Sequence, residues 1–198
     1  IPNIKIISPT FYHDPGALLK ESIINEKGVK IFCEYKMNYS KDLIDDKNAP
    51  EEISIKHSNS SFPTTYISNC LFQSPDITIV SHGGNMIVVE ELLIDLLMEF
   101  EINANAVFPS IIKPLPLVDI EEGIKDASIV LVLEESPTAF GWSSEVIASL
   151  YETGALNEKK IIRLGAKEHP IPSATQLEEK VLPSKNDIIF LLKQELSF

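Results

Sequence analysis

Apolar and polar positions change their period several times along the chain, and each change marks an element. Ile4, Ile6 and Ile7 before Ser8-Pro9 read as a strand. Asp14-Pro15 then supplies an N-cap and a first helical residue ahead of the apolar pairs Leu18-Leu19 and Ile23-Ile24. Gly28 closes that helix, and Val29 to Cys33 forms a second strand. Strand, crossover helix and strand make a βαβ unit, which predicts a parallel sheet whose remaining strands are missing from this chain. Residues 40–75 are polar and punctuated by proline, and read as a connection. Within it, Ile53-Ser54-Ile55 and Thr65-Tyr66-Ile67 alternate as a short hairpin would.

From Asp76 the alternation of strand and helix becomes regular. Ile77 to Val80 is a strand leading through Ser81-His82-Gly83-Gly84 into a helix whose inner face carries Val88, Val89, Leu92, Leu93, Leu96, Leu97 and Phe100. Strands are predicted over 102–108, 128–133 and 160–164. Helices are predicted over 118–125, from Gly141 onward, and over 187–195. The pattern specifies an α/β fold, a three-layer, mostly parallel sheet covered on both faces and preceded by a partial βαβ piece.

Composition narrows the function classes. The 198 residues are 44% hydrophobic and 23% charged, enough for a sizeable core, with no apolar run long enough to span a bilayer. No membrane partner is expected. Net charge is −12 with Arg163 the single arginine, which speaks against a nucleic-acid surface. The imbalance is concentrated: residues 1–75 carry 8 lysines and 9 acids, residues 76–198 carry 9 basic and 20 acidic side chains. The second part is suited to a basic partner or to a solvated acidic surface. Cys33 and Cys70 lie outside any metal-ligand or redox spacing and read as reduced, buried, small apolar residues; His13 and His57 share no metal-ligand spacing either.

Chemistry-bearing candidates are few. His82 sits in a glycine turn at the carboxyl end of a strand, where open α/β sheets place ligands, and is the one functional candidate; its plainer reading is a loop or packing residue. Gly83-Gly84 matches neither a dinucleotide fingerprint nor a P-loop and reads as a tight turn. Glu134 and Glu135 are adjacent on a strand, so they point to opposite faces and do not converge as an acid/base pair; they read as structural groups near an interface. Ser143-Ser144 lacks a nucleophile elbow and reads as a helix cap. Phe140 and Trp142 beside Gly141 form a candidate interface patch. No catalytic, cofactor-binding or metal-binding residue is assigned.

Ordered motifs carry a family resemblance. Residues 1–39, through Pro2-Asn3-Ile4-Lys5-Ile6-Ile7-Ser8-Pro9, Asp14, Leu18-Leu19-Lys20, Phe32-Cys33-Glu34-Tyr35-Lys36 and Tyr39, resemble the end of a pyrimidine-binding domain. That domain belongs to the β subunit of the thiamine-diphosphate-dependent, decarboxylating component of 2-oxo acid dehydrogenases (pyruvate or branched-chain). Residues 76–198 resemble the C-terminal domain that this subunit shares with transketolases. The matches are Asp76 to Val80, Val132 to Pro137 with Phe140 to Ala148, Arg163-Leu164-Gly165, Pro170-Ile171-Pro172, Leu182-Pro183 and Asp187-Ile188. The stretch Ala166-Lys167-Glu168, before His169, departs from the family pattern.

The resemblance implies a division into 1–39 (truncated pyrimidine-binding domain), 40–75 (interdomain connection) and 76–198 (transketolase-type domain), and a piece of a longer polypeptide. It implies thiamine diphosphate and magnesium held by an α-type subunit in the complete enzyme, with the activating glutamate upstream of Ile1. This region is then inert alone. It would supply a β–β homodimer contact within a heterotetramer and a docking surface for the subunit-binding domain of the lipoyl acyltransferase. The implied address is the bacterial cytoplasm or an organelle matrix. Two alternatives are a transketolase or deoxyxylulose-phosphate-synthase-like C-terminal domain, and a non-catalytic dimerisation or interaction module.

Overall fold

A computed structural model describes residues 2–45, 47–69 and 74–196. The strands are β1 (Ile4–Ile7), β2 (Val29–Phe32), β3 (Ser54–His57), β4 (Thr64–Ser68), β5 (Ile77–Val80), β6 (Ala104–Pro109), β7 (Ile111–Lys113), β8 (Ile129–Pro137) and β9 (Lys160–Ala166). The helices are α1 (Pro15–Ile24), α2 (Met86–Phe100), α3 (Leu117–Ile124), α4 (Trp142–Glu152), α5 (Thr175–Glu178) and α6 (Lys185–Leu196).

Local chemistry sets the helix ends. Asp14 Oδ1 accepts from Ala17 N at 2.9 Å, as its place before Pro15 predicts. Ser184 and Asp187 cap α6 reciprocally: Asp187 N–H donates to Ser184 Oγ at 3.2 Å, and Ser184 N–H to Asp187 Oδ2 at 2.9 Å.

Six strands form the larger sheet in the order β3-β4-β6-β5-β8-β9. Pairings among β6, β5, β8 and β9 are parallel, while β3–β4 and β4–β6 are antiparallel. The mostly parallel α/β sheet predicted from sequence is present. The hairpin foreseen between residues 53 and 67 is present too, but it extends this sheet rather than standing apart in a connection, because Thr64 to Ser68 pairs with Asn105 to Pro109. All four residues of β5 are buried, as expected of a central strand covered on both faces. One face packs under α2 and α6 around Ile79, Leu92, Leu96, Phe108 and Leu192; the other packs under α3 and α4 around Val80, Val107, Ile120, Val130 and Val146. The helices on these two faces are the outer layers of three.

The smaller sheet has the order β2-β1-β7. β1 pairs with β2 in parallel, as the βαβ reading predicts; against the expectation that every further strand is missing from this chain, its other edge is taken by β7, antiparallel, with Ile7 opposite Ile111. The chain runs from β6 through fully buried Ser110 directly into β7, so one run of residues serves both sheets. Ile7, Leu18, Phe62 and Ile111 form its core. The outer flank remains apolar and exposed at Ile23, Ile24, Val29 and Ile31. Cys33 is half-buried and reduced, with burial pushing its thiol pKa up. Cys70 lies outside the described residues. Among the described residues no helix is long and apolar enough to cross a membrane.

Candidate functional site

The smaller sheet meets the larger at the carboxyl ends of β1, β5 and β8, and His82 lies in that seam. Ser8 Oγ is 3.2 Å from His82 Nδ1 and 2.9 Å from the Tyr35 hydroxyl, and Tyr35 Oη is 3.4 Å from the same nitrogen. Trp142 presents its ring edge-on to His82, centroids 4.9 Å apart at 82°. The turn fits only without side chains. Gly83 has φ +56°, and a Cβ there would lie 2.1 Å from the Tyr35 ring; one on Gly84 would lie 2.5 Å from Glu135 Oε1. Gly83-Gly84 is therefore the tight turn predicted, and its lack of side chains also admits Tyr35 from the other sheet.

The two glutamates diverge, as neighbours on a strand must. Glu134 is fully buried. Its Oε1 accepts from the Ser143 hydroxyl and from Ser143 N–H at 3.3 Å, and its Oε2 from Ser136 Oγ at 2.6 Å. Helix α4 begins after Gly141, which has no side chain to cap with, so Glu134 from the adjacent strand satisfies the first turn. This corrects the serine-cap expectation. Ser143 is committed to Glu134 and Ser144 Oγ donates to Thr138 O at 3.1 Å, while Arg163 donates to both serine oxygens. A Cβ on Gly141 would meet the Glu134 carboxyl at 2.4 Å, so that glycine makes room for the cap. Glu135 faces the seam beside Gly84 and Tyr35. Burial, then Glu178, pushes its pKa up.

Phe140 is fully exposed and holds φ +57°, a backbone region that costs a bulky side chain energy. Trp142 is half-buried against His82. The candidate pair therefore splits: one ring faces outward and the other packs inward. His169 is exposed in the 167–174 loop, and His13 is buried with Nε2 3.0 Å from Thr65 Oγ1, whose oxygen is 3.0 Å from His57 Nδ1. Among the described residues no three His, Cys, Asp or Glu side chains converge as a metal site.

The seam is thus a hydrogen-bonded joint in which burial favours the neutral imidazole. Burial lowers the His82 pKa to about 4, with Glu134 opposing, and lowers that of His13 to about 3. A folded pKa below the unfolded value near 6.5 means that the unfolded chain takes up the proton first. Stability is expected to be full above about pH 7 and to fall as pH drops from about 6.5 towards 4. Urea midpoints across that range check this, and His82→Gln should flatten the decline; an unchanged slope in the variant would remove His82 from the account.

Sequence reasoning missed Tyr35 and Ser8 as partners of His82. Both stand in the motifs that carry the family resemblance, but nothing in their spacing joins them to His82.

Comparison with known proteins adds the lineage. The family described as "Transketolase, C-terminal domain" matches residues 69–188. The mitochondrial pyruvate dehydrogenase E1 component subunit beta of Saccharomyces cerevisiae is 25% identical over 199 residues, covering 100% of this chain and 52% of the relative. The mitochondrial 2-oxoisovalerate dehydrogenase subunit beta of Dictyostelium discoideum is 26% identical over 172 residues, covering 86% of this chain and 44% of the relative. A solved structure titled "Split gene transketolase, inactive beta4 tetramer" matches with a TM-score of 0.66 at 18% identity, over 100% of this chain and 58% of that one. The last likeness is one of fold. The chain spans about half the length of the curated relatives it matches.

Proposed function

The chain belongs to the transketolase C-terminal domain family, and from that premise we propose that it is the C-terminal region of the β subunit of a thiamine-diphosphate-dependent 2-oxo acid dehydrogenase. One observation carries the choice of branch. Similarity to the pyruvate dehydrogenase β subunit extends over the entire chain, including residues before 69 that the family match does not reach. The transketolase structure also spans the whole chain, but at 18% identity that likeness is one of fold.

In this reading the complete enzyme decarboxylates a 2-oxo acid and transfers the acyl group to a lipoyl carrier. Thiamine diphosphate, held with magnesium largely by an α-type subunit, supplies the bond-breaking chemistry. In this reading the α-type subunit and upstream residues hold the cofactor, while Ser8, Tyr35 and His82 bond one another. This region is given no catalytic step and works by association. The exposed, backbone-strained Phe140 supports a subunit contact at the 138–141 loop, with Trp142 bracing the loop from inside. Glu134 and Glu135 shape that loop and the seam beneath it. The three-part division of the chain and an organelle-matrix or bacterial cytoplasmic address belong to the same proposal, and the names of the relatives, mitochondrial, favour the matrix.

The acidic second part supports docking of a small basic domain. Calorimetric titration with the peripheral subunit-binding domain of the lipoyl acyltransferase is expected to show about one domain per chain dimer, weakening as salt rises. No binding at low or moderate salt by a folded, dimeric chain would overturn the reading in favour of a transketolase-like or purely structural role.

A further inference from the structure

Beside the His82 seam, the segments that follow β1 and β2 enclose a cavity of about 310 Å³. Pro9, Phe11, Pro15, Phe32 and Tyr35 line it together with the half-buried Cys33, and Tyr39 and Leu43 stand exposed at its rim. Walls of aromatic and aliphatic carbon take an apolar group. A cavity of about 150 Å³ is enough for benzene, so this space admits a benzyl side chain.

The same end of the molecule presents such a side chain. Phe140 is fully exposed, so it does not fill the cavity of its own chain. One exposed ring is ordinary, but this one stands on a locked loop. Its φ of +57° is unfavourable for a bulky residue and persists only where the surroundings fix it. Here Gly141 N–H donates to Thr138 O at 3.2 Å, and Arg163 donates to Thr138 O, to Ser144 Oγ at 2.7 Å and to Ser143 Oγ at 3.0 Å. A loop ordered in advance loses little freedom on binding. Ring and cavity are neighbours: Tyr35, a wall of the cavity, and Trp142, two residues after Phe140, both contact His82.

Charge points to the occupant. Residues 134–145 carry Glu134, Glu135 and Glu145 and no base, while residues 33–43 set Lys36 and Lys41 against Glu34 and Asp42. Copies of a chain of net charge −12 repel where two acidic surfaces meet. An acidic loop entering a rim that holds two lysines avoids that repulsion, and Lys41 is itself part of the cavity wall.

We propose that Phe140 of one copy enters the cavity lined by Phe11, Phe32 and Tyr35 in a second copy. A two-fold axis repeats the contact, so each chain gives one ring and receives one. The inference rests on the reading above only in taking a second copy as the partner of the 138–141 loop. Its failure leaves the dehydrogenase reading standing, because a dimer built on another face would still be titrated with the subunit-binding domain.

Sedimentation equilibrium of the whole chain tests this, with N-ethylmaleimide modification of Cys33 followed by mass spectrometry over the same concentrations. A dimer with a Kd of about 10 μM or tighter is expected. Modification of Cys33 should slow about tenfold as the dimer forms, because the partner's ring shields the thiol. Phe140→Ser should weaken dimerisation about thirtyfold or more and abolish the concentration dependence at Cys33. Leu43→Glu, at the exposed rim, should do the same from the other side of the contact, and neither substitution touches the core. A chain that stays monomeric up to about 100 μM overturns the proposal. So does a dimer whose Kd is unchanged in either variant, and a Cys33 rate that does not follow the dimer fraction.

Discussion

Glu134→Ala is expected to lower the free energy of unfolding by about 3–5 kcal/mol, since it leaves buried donors without acceptors and opens a void in one step. Ser143 N–H, Ser143 Oγ and Ser136 Oγ all donate to this one carboxyl group, and none of its surface reaches solvent. The loss would be felt at the first turn of α4 and, through Ser143, at Arg163. Glu134→Gln keeps the volume and one acceptor oxygen, so it should lose less than half as much. Urea unfolding followed by circular dichroism reads the difference as a shift in midpoint at constant slope. A shift equivalent to less than about 1 kcal/mol in Glu134→Ala would mean that water or a neighbouring group takes over the cap.

Gly83→Val should be as damaging by a different route. The residue holds φ +56°, which a β-branched side chain adopts at a cost of about 1–3 kcal/mol. Its Cβ would also sit inside the Tyr35 ring, at 2.1 Å, adding an overpacking term of about 1–3 kcal/mol. A total near 3 kcal/mol or more follows, and the seam between the sheets is where it would show. The two contributions separate in a cycle with Tyr35→Ala. The overlap should vanish in that background while the backbone cost stays. If Gly83→Val were equally harmful with and without Tyr35, the steric argument would fail.

These positions mark where reading the sequence stops. Elements defined by neighbours along the chain were legible: the Asp14 cap of α1, the apolar strand β5, the broad apolar face of α2, the alternation of the 54–68 hairpin. Each rests on propensity or period, which a window of residues contains. β7 was not legible, because three residues after a buried serine carry no period and become a strand only by meeting β1. Nor was the cap of α4. Serines at its start suggested a local solution, and a carboxyl group from the preceding strand displaced it. His82 was picked out from its place at a strand end, but its partners Ser8 and Tyr35 come from a distant segment. Burial of that seam, not the residue types, decides what the imidazole does.

The passage of the chain through Ser110 into β7 also sets an order of events. Ile7 meets Ile111, so the strand at the centre of the smaller sheet waits for a partner 104 positions later. Closing so long a loop is entropically costly unless intervening structure has already shortened it. During synthesis β1, α1 and β2 emerge well before β7, which follows directly on β6. The βαβ unit therefore gains β7 late, and docking of β6 into the larger sheet delivers that strand to the edge of β1.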